Sequence, residues 1–242
     1  MDRKTIALEQ DELVKQVFAA NPHTIEVLRS SFPYAIVWSQ QNLPAIVHMT
    51  HGSEEEGNGL ADVLFGDYSP AGRLNQTWLT GDAQLPPMMD YNIRHGRTYM
   101  YSKEKPLYAF GYGLSYTTFA YEGLSLSLLN AKADGEIQVI VRVKNTGQRA
   151  GDEVVQMYVQ HLGSAVERPQ LELKGFERVH IEPGTTKNVV LNLKPHDLAY
   201  WDTSGHAWRV EKEQIRVLAG GSSDDVPVQE TLQIENTGDY KP

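Results

Sequence analysis

The chain has 242 residues, of which 40% are hydrophobic and 22% charged, the make-up of a globular protein long enough for two ordinary domains. Its 22 Lys and Arg against 31 Asp and Glu give a formal charge of −9, which argues against nucleic acid as a partner, because phosphate binding needs clustered cations. The absence of Cys excludes disulfides, thiolate metal sites and Cys nucleophiles, and leaves the redox compartment open.

Met1-Asp2-Arg3-Lys4 and the following Gln10-Asp11-Glu12 lack the apolar stretch of a signal peptide, and no run approaches the length of a membrane-spanning helix. The sequence therefore gives no mark for export, no membrane partner and no fixed location. From about residue 9, Leu13, Val14, Val17 and Phe18 share one helical face until Asn21-Pro22 ends the helix. The period then changes. Thr24–Leu28, Tyr34–Trp38 and Pro44–Met49 are short β-prone runs and read as buried strands. Asn58–Phe65 returns to helical spacing through Leu60, Val63 and Leu64, between Gly57 and Gly66. Alternating helix and strand predict an α/β layer with a mostly parallel sheet.

Residues 66–120, with glycines and prolines among many aromatics, read as a long loop-rich crossing. Beyond about residue 122 the signal is strand only. Ile137, Val139, Val141 and Val143 alternate with polar residues up to the turn Asn145-Thr146-Gly147. The same period recurs at Val155, Met157 and Val159, at Val189, Leu191 and Leu193, and at Ile215 and Val217. Seven or so such strands predict an all-β immunoglobulin-like sandwich.

The run Gly57-Asn58-Gly59-Leu60-Ala61-Asp62-Val63-Leu64-Phe65-Gly66-Asp67-Tyr68-Ser69-Pro70-Ala71-Gly72-Arg73-Leu74 resembles the G-N-A-L-A-D-V-L-F-G-D-Y-N-P-A-G-R-L signature of family 3 glycoside hydrolases. Leu85-Pro86-Pro87, Gly96-Arg97-Thr98-Tyr99 and Phe110-Gly111-Tyr112-Gly113-Leu114-Ser115-Tyr116 agree with it in order. Asn145-Thr146-Gly147, Glu172-Leu173-Lys174-Gly175-Phe176 and Leu198-Ala199-Tyr200-Trp201-Asp202 resemble blocks of that family's fibronectin type III-like domain. The resemblance implies the end of an α/β three-layer sandwich, with a partial, mostly parallel sheet, over residues 1–121. It implies an immunoglobulin/fibronectin III-like sandwich over 122–242.

It further implies a retaining exo-β-glycosidase acting on terminal β-D-glucosyl or β-D-xylosyl units of a β-linked oligosaccharide or aryl glycoside, without a cofactor. Such chemistry uses two carboxyl groups about 5 Å apart. In the family the nucleophilic Asp stands on an N-terminal barrel domain, and the acid/base Glu of many members in a segment resembling E-G-x-D-R. If Asp2-Arg3 is that D-R, both groups are expected upstream of Met1, no residue of this chain is catalytic, and the isolated chain is inactive without the barrel. Relatives are often periplasmic or secreted. Thr50-His51-Gly52-Ser53-Glu54-Glu55-Glu56 is similar to the T-H-S-S-Q-E-E of a xylosidase-like branch, so glucosidase and xylosidase both stay open.

His51 and Glu55 are the candidate substrate-binding residues, since imidazole and carboxylate both suit sugar hydroxyls. The competing reading makes Glu54-Glu55-Glu56 a solvated loop at a helix N-terminus, where the macrodipole favours acids. His48 and His51 stand three apart with no third ligand at a supporting spacing, so no metal is expected. Trp201 and Trp208 suit a carbohydrate-binding face and packing equally. A different class of function, a non-catalytic module binding glycan or a partner chain, fits an intact sandwich beside an incomplete catalytic half.

Overall fold

The computed structural model describes residues 5–240. The chain divides into two units. One comprises residues 5–68 and 74–110; the other comprises 69–73 and 111–240. The expected match at Asp2-Arg3 lies outside the described residues.

The first unit is built on β1 (Ile25–Arg29) and β2 (Ala45–Met49), paired in parallel from Ile25 opposite Ala45 to Arg29 opposite Met49. Parallel neighbours need a crossover, and α2 (Val37–Asn42) supplies it. Helix α1 (Asp11–Ala20) precedes β1 and meets α2 through Phe18, whose ring stands edge-on to Trp38 at 5.8 Å. Helix α3 (Glu56–Phe65) follows β2 and ends at Gly66, which takes the left-handed conformation that a Cβ disfavours (φ 85°). Leu8, Leu28, Ile36 and Trp78 form the buried centre of this unit. Trp78 joins it because its backbone N–H donates to the Tyr108 carbonyl at 2.9 Å, which fastens the loop-rich segment to itself. That segment holds one 3-10 turn (Asp82–Gln84) and the four-residue helix α4 (Thr98–Tyr101).

One expected strand is not there. Within Tyr34–Trp38 only Ala35 makes a bridge, to Ala7, and the chain turns helical at Val37. The β-prone composition favoured a strand, but Ile36 and Ser39 are both buried, a spacing that a helical turn satisfies. Burial therefore overrode local β-propensity.

The second unit is all β, as its alternation predicted. Strands β3 (Phe119–Leu126), β5 (Ile137–Asn145) and β8 (Thr186–Leu193) form an antiparallel sheet in the order β3-β5-β8. The facing sheet runs β4-β12-β11-β6-β7, from β4 (Asn130–Ala131), β12 (Val228–Ile234), β11 (Gln214–Gly220), β6 (Gly151–His161) and β7 (Glu172–Ile181). Val139, Val141 and Val143 from one sheet meet Val155, Met157, Val217 and Leu232 from the other in a core that excludes water. Burying each such side chain contributes roughly 1.5–3 kcal/mol. A third small sheet carries β13 (Gly238–Tyr240), β10 (Ala207–Val210) and β9 (Tyr200–Asp202), with β10 in the middle.

Asn145 explains why the turn after β5 switches sheets instead of closing a hairpin. Its buried amide donates to the carbonyls of Arg149 (2.7 Å) and Ile181 (2.8 Å), and its Oδ1 accepts from Thr117 (2.6 Å) and the Gly147 amide (3.0 Å). The four hydrogen bonds offset the cost of burying this amide and hold the crossing.

Candidate functional site

In parallel α/β layers, ligands are bound beyond the carboxyl ends of the strands. Here β1 and β2 end at Arg29 and Met49, and the loop 50–55 leads into α3. His51 and Glu55 both stand exposed on that junction, His51 within the loop and Glu55 at the residue before the first turn of α3. Glu55 Oε2 accepts from Asn58 Nδ2 at 2.5 Å, a local bond that aims the carboxylate along the helix start.

Glu56 is held more firmly than either. Its Oε1 pairs with Arg29 Nε at 2.5 Å and its Oε2 accepts from the Gly52 amide at 2.8 Å. The Gly52 hydrogen bond, with Arg29 and His51 nearby, holds the Glu56 carboxyl below the usual carboxylate range despite partial burial. This carboxylate therefore ties the end of β1 to the start of α3. The sequence marked the acidic run but not Arg29, which lies 27 positions upstream of Glu56 with no shared periodicity.

His48 has a different role from His51. Its Nε2 lies 3.2 Å from the Ser30 carbonyl and 3.3 Å from Ser30 Oγ, and its ring is edge-on to Trp78 at 5.0 Å. Burial lowers its pKa, partly offset by the Ser30 bond, and the ring serves the packing against Trp78. Among the described residues no group of three or more His, Asp or Glu is placed to hold a metal ion.

The end of the glycine-rich signature does a structural job. Arg73 belongs with the sandwich, where its NH2 meets Glu153 Oε2 at 2.5 Å, and Tyr121 donates to the other Glu153 oxygen at 2.7 Å. Burial and the Glu153 charge raise the Tyr121 pKa, which keeps its hydroxyl a donor. Residues 69–73 are thus fixed to the sandwich, and no spacing rule reveals a pair 80 positions apart.

The chain therefore has two parts, a parallel α/β layer whose strand ends carry Arg29, His51, Glu55 and Glu56, and an all-β sandwich. The glycosyl hydrolase family 3 C-terminal domain matches residues 1–116, and the fibronectin type III-like domain matches residues 153–223. A β-glucosidase of Kluyveromyces marxianus is 38% identical over 251 aligned residues, covering 97% of this chain and 29% of that protein. A β-glucosidase of Rhizobium radiobacter is 36% identical over 90% of this chain and 28% of its own length. The crystal structure of the Kluyveromyces marxianus enzyme in complex with glucose superposes with a TM-score of 0.89 at 36% identity, over 99% of this chain and 30% of that one. The chain belongs to glycoside hydrolase family 3 and corresponds to a C-terminal portion of its members. It spans less than a third of the length of these relatives.

Proposed function

We propose that the chain acts as the C-terminal portion of a retaining exo-β-glycosidase that removes terminal β-D-glucosyl or β-D-xylosyl units. The observation that carries this reading is the alignment of nearly the whole chain with β-glucosidases of which it makes up under a third. Retaining hydrolysis needs a nucleophilic carboxylate and an acid/base carboxyl on opposite sides of the scissile bond. In this proposal both belong to residues outside the 242, the nucleophile on a barrel domain. His51 and Glu55 form part of the wall that the sugar meets, with Glu55 accepting from a hydroxyl and His51 donating to or accepting from one. Glu56 and Arg29 position that wall without touching substrate.

The 242-residue chain is accordingly inactive alone. Incubation with aryl β-D-glucoside and aryl β-D-xyloside tests this: no turnover above buffer is expected. Turnover that vanishes when one Asp or Glu of this chain is replaced overturns the proposal.

A further inference from the structure

The β9–β10 hairpin carries two tryptophans that neither the core nor the proposed cleft uses. Trp201 and Trp208 are direct cross-strand partners, 40% and 43% exposed, with ring centroids 5.6 Å apart and planes at 70°. Cross-strand partners project from the same face, so the two indoles form the walls of an open corner. Leaving indole in water forfeits the burial that usually justifies the residue, so such a pair points to an occupant.

The corner is stiff before anything binds. Alternation puts Arg209 on the opposite face, where its Nε and NH2 bond both oxygens of Asp239 at 2.8 and 3.0 Å and its NH1 meets Asp202 at 2.6 Å. This clamp spans all three strands of the small sheet. At the hairpin end Asp202 Oδ1 accepts from the Ser204 amide at 2.9 Å and hydroxyl at 2.6 Å, which fixes the turn. A hairpin backbone fixed this way has little freedom left to lose on binding.

The size of the corner chooses the class of ligand. An indole offers 150–250 Å² in all, so the exposed parts of the pair amount to roughly 200 Å². A stable protein contact needs about 800 Å² on each side. A pyranose ring whose substituents are all equatorial presents a flat C–H face of about one indole's width, with hydroxyls around its edge. Thr203 and His206, both exposed at the hairpin end, offer polar groups to those hydroxyls. The neighbouring carboxylates are already tied to Arg209, so the corner favours a neutral ligand.

We infer that Trp201 and Trp208 form a glycan-binding corner on the sandwich that takes β-linked oligosaccharides of all-equatorial pyranose units. The inference does not rest on the catalytic reading, because it concerns a non-hydrolytic site on the second unit.

Calorimetric titration of the 242-residue chain with cellotetraose tests it. Saturable binding is expected, weakened roughly tenfold or more in Trp201→Ala and in Trp208→Ala, as loss of a stacking face implies. Phe176→Ala, which removes a 63%-exposed ring from β7, should leave the affinity unchanged. Circular dichroism reports whether each variant folds; where an alanine variant does not, Trp201→Phe or Trp208→Phe is read in its place, with weaker binding expected. Absence of saturable heat, equal binding by folded Trp variants, or a self-associated chain that becomes monomeric in Trp201→Ala overturns the inference.

Discussion

At the scale of single residues, two buried groups make opposite contributions. Glu26 on β1 is buried, and its Oε2 has no hydrogen-bond partner among the described residues. Burial pushes its pKa up, with a Ser39 bond opposing and Asp11 reinforcing. A carboxyl whose folded pKa is raised holds its proton longer in the folded state than in the unfolded one, so its stabilising effect is lost as pH rises from about 4.5 through the folded pKa. Glu26→Gln should therefore raise stability at neutral pH and flatten that decline, which urea unfolding followed from pH 4.5 to 8 will show. Arg73 and Glu153 behave as a pair, with side chains only 9% and 4% exposed. Arg73→Leu strands a buried charge and should cost the sandwich about 3–5 kcal/mol, whereas the double change Arg73→Leu/Glu153→Leu should cost less. Unfolding of the single and double variants compares the two directly.

At the scale of elements, strands such as β5 and β8 were legible because one face is buried and the other is more exposed, whereas the middle of β6 is buried on both faces. Val139, Val141 and Val143 keep a strict period of two, and all three are in the core. The helices α1 and α3 were legible through their 3.6-residue spacing. Tyr34–Trp38 misled because a run of aromatic and β-branched residues states only that a segment is apolar, and the burial of Ile36 and Ser39 by neighbours decided for a helix. The candidate site was half legible. The acidic run and His51 stand out in the sequence; the Arg29–Glu56 tie joins distant segments and leaves no local pattern. Gly111 has the left-handed backbone that favours glycine, with φ of 83°. Its surroundings add a second reason, since a Cβ there would meet the Gln156 side chain, whose amide donates to the Gly111 carbonyl at 3.1 Å. Gly111→Ala should therefore destabilise the sandwich by about 1–3 kcal/mol from crowding, beyond the conformational cost, in thermal unfolding of this unit.

At the scale of the molecule, the two units divide the work. The sandwich is a closed hydrophobic core with its own buried ion pair and corner asparagine, while the α/β unit has a two-stranded sheet and a small buried centre. Ile25 and Val27 of β1 are exposed, although parallel sheets are ordinarily covered on both faces. These exposed strand residues belong to a chain that spans less than a third of the length of its relatives. The proposed function requires that the nucleophile lie outside these 242 residues. Incubating the chain with an activated 2-deoxy-2-fluoro-β-glucoside, which traps a retaining nucleophile as its glycosyl ester, and mapping the peptides by mass spectrometry tests this directly. No glycosylated peptide is expected; a fluoroglucosyl adduct on an Asp or Glu of this chain would contradict the proposed function.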